Sequence, residues 1–128
     1  MSVEPTDVDC KQVRRCLLDY FGATLAGVKL LKAKSESIID MAGQYEDGLT
    51  IIGLAPKVAL ETACLVNGLN SHVAEMDDGV RFGMIHPGAP IFSALLPVAE
   101  KFDVTEDSFI IGALVGYDAA LRLASAIQ

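Results

Sequence analysis

A chain of 128 residues makes one ordinary domain, read as residues 1–128, and can bury roughly two-thirds of its unfolded surface. At 52% hydrophobic and 21% charged it is globular rather than disordered, and a net charge of −7 with no basic patch argues against nucleic acid as a partner. Cys10, Cys16 and Cys64 form no CxxC pair, and their odd count argues for reduced thiols in a cytoplasmic protein rather than a disulfide framework.

The acidic stretch from Met1 to Asp9 lacks an apolar core, so it does not read as a secretory signal. Thr6 or Asp7 caps a first helix, whose apolar residues Val13, Cys16/Leu17, Tyr20/Phe21 and Thr24/Leu25 recur at helical spacing. Gly22 marks close packing in it, and Gly27 ends it. A second amphipathic helix covers Lys29 to Ala42. After a loop from Gly43 to Gly48, residues 49–53 are β-branched and short, which predicts a brief extended link.

Pro56 suits the first position of a third helix, predicted to run to Asn70 and on to Met76. A fourth helix follows over Ala89–Phe102, with Pro97 expected to kink or split it. Thr105 caps a fifth, in which Gly112, Ala113, Gly116, Ala119 and Ala120 make a face of small residues suited to tight packing. The apolar run Phe109–Tyr117 is too short to span a bilayer, so no membrane partner is expected. The fold class is therefore all-α, with about five helices and one short extended link near 49–53.

The polar residues concentrate between the third and fourth helices. Both histidines of the chain, His72 and His86, lie there, fourteen positions apart, with Glu75, Asp77, Asp78 and Arg81 between them. Gly79, Gly83 and Pro87 keep this stretch from being a regular helix. Crowded carboxylates beside a histidine can supply one protonated and one deprotonated group at neutral pH, as acid–base chemistry requires. Each residue also has a structural reading: a packed, hydrogen-bonded His72, a helix stop at Asp77-Asp78, and an ordinary turn at His86-Pro87-Gly88. The spacing of His72, Glu75, Asp78 and His86 matches no standard zinc or calcium pattern, so neither a metal nor another cofactor is expected.

The run Leu65-Val66-Asn67-Gly68-Leu69-Asn70-Ser71-His72, then Glu75-Met76-Asp77-Asp78-Gly79, then His86-Pro87-Gly88, resembles the signature of the MmgE/PrpD family. That family comprises 2-methylcitrate dehydratases, cis-aconitate decarboxylases and related epimerases. The likeness extends to Asp19-Tyr20-Phe21-Gly22-Ala23-Thr24-Leu25-Ala26-Gly27, and to Gly116-Tyr117-Asp118 with Arg122. It covers nearly the whole chain, in order.

The resemblance implies the N-terminal part of an all-helical domain. It also implies a lyase-type reaction that dehydrates, decarboxylates or epimerises a small polycarboxylate. On this basis His86 is the acid–base candidate, and Glu75 and Asp78 are orienting or proton-shuttling carboxylates, with His72 beside them. Arg81 is the candidate carboxylate binder, with Asp77 and Gly79 on the substrate side. Gly79 stands where the enzyme lineages often carry Thr. The family's later "G-x-H-x-T" motif, catalytic lysine and second domain are not in these residues. The chain is thus expected to offer one wall of a site, and to act as a homodimer or with a chain supplying the rest. The alternative is a non-catalytic helical scaffold or binding protein derived from that fold, which a turnover assay separates from the first reading.

Overall fold

The computed structural model describes residues 4–127, of which 69% are helical. Helix α1 (Asp7–Ala42) starts in a capping box: the Asp9 N–H donates to Thr6 Oγ1 at 3.2 Å, and the Thr6 N–H donates to Asp9 Oδ2 at 3.0 Å. The two helices expected before residue 43 are this single 36-residue helix, so the count among the described residues is four rather than five.

Gly27 does not end the helix because a glycine does so only where it leaves helical geometry. Gly43 does that, with φ +86°. Gly27 instead permits contact. A Cβ there would lie 1.8 Å from the Asn70 carbonyl oxygen, so only a glycine lets the neighbouring helix approach. Gly22, where close packing was expected, has nothing within 4 Å.

The extended link is half of a small hairpin. Strand β1 (Leu49–Thr50) pairs antiparallel with β2 (Lys57–Val58), Leu49 opposite Val58. The third helix therefore starts after β2 rather than at Pro56, as α2 (Leu60–His72), and stops before the predicted Met76. Burial decides this: Leu49, Ile51 and Val58 enter a core cluster with Ile39, Ala63 and Val66. Asn67 of α2 fastens the hairpin, accepting from the Ile52 N–H at 2.9 Å and donating to the Thr50 carbonyl at 3.2 Å. Glu100 clamps it from the other side, accepting from the Thr50 N–H at 2.9 Å and the Thr50 hydroxyl at 2.8 Å.

Helix α3 (Gly88–Phe102) runs unbroken through a buried Pro97. Helix α4 (Glu106–Ala126) is capped by Thr105, whose Oγ1 accepts from the Ser108 N–H. Its small residues do admit a partner: Leu95 and Ile91 of α3 sit over Gly112 and Gly116, at 3.1 Å and 3.2 Å from where a Cβ would be. A second core cluster, around Val13, Tyr20, Phe92, Ile110 and Ala113, joins α1, α3 and α4. Val115 and Leu123 remain exposed on the outer face of α4. Among the described residues α4 is long and apolar enough to cross a membrane, on length and composition only; it packs on α3 and carries an Asp118–Arg122 ion pair.

Gly27→Ala should destabilise the protein by about 3 kcal/mol, the upper end for overpacking. Gly22→Ala should stabilise it by about 0.5–1 kcal/mol, the helix gain of alanine over glycine. Urea denaturation of the two variants checks both signs.

Candidate active site

The site is built by a reversal of the chain after α2. The helix ends at His72, and the Val73 N–H still reaches the Leu69 carbonyl at 3.2 Å. Glu75 then takes a left-handed conformation, φ +51°, and its N–H donates to the His72 carbonyl at 2.9 Å. This turn brings Asp77 back to the Nδ1 edge of the His72 ring. Val80 and Ile85 form an isolated bridge that closes the turn Arg81–Met84, in which Met84 is also left-handed, φ +48°. That second reversal delivers His86 beside His72, ring centroids 5.3 Å apart.

Asp77 lies between the rings. Its side chain is only 2% exposed, and its Oδ2 is 3.0 Å from His72 Nδ1 and 3.6 Å from His86 Nδ1. The other oxygen, Oδ1, is buried and has no hydrogen-bond partner. The hydrogen bond to Asp77, with its negative charge, raises the His72 pKa above the ordinary 6.5. These three residues bring ligand-type atoms within 4.8 Å of one another. The His72–Asp77 hydrogen bond joins two of the three without an ion.

Asp78 faces the other way. Its Oδ1 accepts from the Gly88 N–H at 2.8 Å, and its Oδ2 accepts from the Tyr117 hydroxyl at 2.7 Å. It thus supplies the anionic cap that Pro87 cannot give to the start of α3, where the helix dipole favours negative charge. A Cβ on Gly88 would lie 2.8 Å from both Asp78 Oδ1 and the Tyr117 hydroxyl, so this crossing requires glycine. Burial first, and then the bond to Asp78, push the Tyr117 pKa well up, so the phenol stays protonated as a donor. Tyr117 was not among the expected site residues. Its signal was the Gly116-Tyr117-Asp118 run, which does not reveal that the ring reaches the loop.

The structure thus divides the expected constellation. His72 and His86 line a cleft of about 630 Å³ whose other walls include Met84, Ile85, Leu123 and Ile127. Asp78 borders a separate depression with Arg15 and Asp19 of α1. Glu75 is exposed, its Oε1 3.9 Å from His72 Nε2. Arg81 is exposed on the turn and makes no ion pair among the described residues. Gly79 sits against His86: a Cβ there would meet the ring Cε1 at 3.7 Å, an ordinary contact, so a side chain at this position would touch the imidazole.

The MmgE/PrpD N-terminal domain family matches the sequence over residues 3–128. No curated protein and no solved structure matches it.

The raised His72 pKa makes a pH-dependent contribution to stability. A group whose pKa is raised by folding stabilises fully below its unfolded pKa, and that stability is lost as pH rises through the folded pKa. Asp77→Asn removes the cause, so the stability difference between wild type and variant should be larger at pH 6 than at pH 9. Denaturant melts at the two pH values measure it.

Tyr117→Phe should cost about 1.5–3 kcal/mol, the range for a hydrogen bond to a charged group, with little change in the His72 titration. Denaturation paired with NMR titration of the imidazoles checks both parts.

Proposed function

The chain belongs to the MmgE/PrpD family through its N-terminal domain, and from that premise we propose that it furnishes the acid–base wall of a lyase-type site for a small polycarboxylate. The observation that carries the reading is the pair of imidazoles on one buried carboxylate at the edge of a largely apolar cleft. Asp77 fixes the neighbouring His72, and the His86 ring, with no side-chain hydrogen bond among the described residues, has its nitrogens available for proton transfer.

In a dehydration, His86 takes the proton from the carbon next to a carboxylate. The C–H electron pair becomes the double bond, and the hydroxyl on the adjacent carbon leaves as water with a proton from an acid. Glu75, exposed to solvent and 3.9 Å from His72 Nε2, suits resupply of that acid. Arg81, a cation on the turn beside the cleft, suits a substrate carboxylate. Gly79 leaves room beside the His86 ring. Asp78 acts by holding the loop to α3 and α4 rather than by touching substrate.

The remaining wall lies outside these residues, and a second copy or other polypeptide can supply it. The exposed Val115 and Leu123 on α4, the latter also a wall of the cleft, give it an apolar surface to cover.

The test is turnover of 2-methylcitrate and cis-aconitate by the purified chain, alone and mixed with candidate partner chains, followed by proton NMR in D2O. Turnover that falls at least about 100-fold in His86→Ala supports the reading. Turnover indifferent to His86→Ala, or a folded and inert protein in every mixture, overturns it.

A further inference from the structure

The two imidazoles are not held alike. Asp77 is 2% exposed, whereas the His72 and His86 side chains are 50% and 43% exposed. A carboxylate so enclosed, with half-open imidazoles on one of its oxygens, orients rings and does not itself meet a ligand. Its distances to the two Nδ1 atoms differ: 3.0 Å to His72 is a hydrogen bond, while 3.6 Å to His86 lies beyond hydrogen-bond reach. The bond fixes the His72 tautomer, proton on Nδ1, and leaves Nε2 for a second proton.

With ring centroids 5.3 Å apart, a proton on one imidazole opposes a proton on the other. The hydrogen bond to Asp77 favours the charge on His72. The other charged and titratable neighbours are few. Glu75 lies 3.9 Å from His72 Nε2, and Lys34 of α1 and Cys64 of α2 line an adjoining cleft that also includes His72. From α3 and α4 the main cleft receives only apolar side chains, among them Pro90, Ala120 and Leu123. Arg81, exposed on the turn 81–84 at the cleft's edge, is the nearby fixed cation, so within the cleft's own lining an anionic ligand meets positive charge only on an imidazole.

We infer that Asp77 is a positioning residue that separates the work of the two imidazoles: His72, bonded to it, is the cationic anchor for one carboxylate of the ligand, and His86, outside hydrogen-bond reach, is the ring that exchanges the proton. This rests on the proposed lyase reading for the role of His86, and adds to it a binding site at His72. The ligand class is a di- or tricarboxylate whose anchored carboxylate stands one ring's distance from the carbon that loses its proton.

The experiment is an NMR titration of the 15N-labelled full chain with cis-aconitate. The protein has two histidines, so His72→Gln assigns both imidazoles. The expected result is binding that moves the His72 ring signals, raises the His72 titration midpoint, and weakens about tenfold from pH 6 to pH 8.5 as the imidazolium is lost. His72→Gln should abolish that pH dependence, and Asp77→Asn should lower the His72 midpoint and weaken binding, with Asp77→Glu restoring part of it.

Binding independent of pH, binding unchanged in His72→Gln, or no binding at millimolar ligand overturns the inference. Should Asp77→Asn fail to fold, His72→Gln, altering a half-exposed side chain at a helix end, still decides. His86→Ala separates the two claims. Retained pH-dependent binding supports the anchor at His72 even where turnover is absent, while binding lost in His86→Ala and kept in His72→Gln overturns it.

Discussion

The close approach of α1 and α2 at Gly27 is the constraint on which the remaining geometry depends. With no side chain on Gly27, the Asn70 carbonyl sits where a Cβ would be. Asn70 lies two residues before His72, so this contact fixes the height and rotation of the end of α2. The neighbouring Ser35 hydroxyl donates to Asn70 Oδ1 at 3.0 Å and holds the same turn from α1. Were the helices one side chain farther apart, His72 would move with α2, while Asp77 and His86 would stay with the loop and α3. A contact of 3.0 Å does not survive a displacement of that size.

The second fixed point is Asp78. One carboxylate ties three pieces together: the loop that carries it, the first N–H of α3, and the hydroxyl of Tyr117 on α4. The His86 ring is attached two residues before that N–H, so capping the helix also sets the position of the ring. Helix start and candidate catalytic group are therefore one structural unit, and the electrostatics that favour an anion at a helix N-terminus serve the site indirectly. On the hairpin, Glu100 likewise ties separate pieces together with one carboxylate. Burial pushes its carboxyl up, but the bonds from Thr50 and Lys57 prevail and hold it below its ordinary range.

Local signals in the sequence were legible and long-range ones were not. Thr6 and Thr105 were readable as helix starts because a cap bonds to an N–H three residues away. The small-residue face of α4 was readable because its spacing is helical. Gly27 was misread because a glycine that ends a helix and one that admits a neighbour look the same until the neighbour is known. Lys57–Val58 was missed because a strand of two residues shows no alternation, and its pairing with Leu49–Thr50 depends on burial shared with α1 and α2. At the site, the histidines and the intervening acids were evident from composition. What could not be read was which aspartate of the Asp77-Asp78 doublet turns inward to the imidazoles. That choice is made by the left-handed residue Glu75 and by Tyr117, thirty-nine positions from Asp78.

The doublet has a consequence for how this segment can vary. Asp77 meets the histidines, while its neighbour Asp78 meets α3 and α4. The two carboxylates are chemically the same, yet neither can stand in for the other. A single residue inserted or lost between Val73 and Met76 would shift both acids by one position relative to α2, so that Asp77 and Asp78 could not both keep their present partners. In this loop the number of residues is therefore as much a determinant of the site as their identities, and a relative that keeps every acid and histidine but changes the spacing would keep the composition of the site without its geometry.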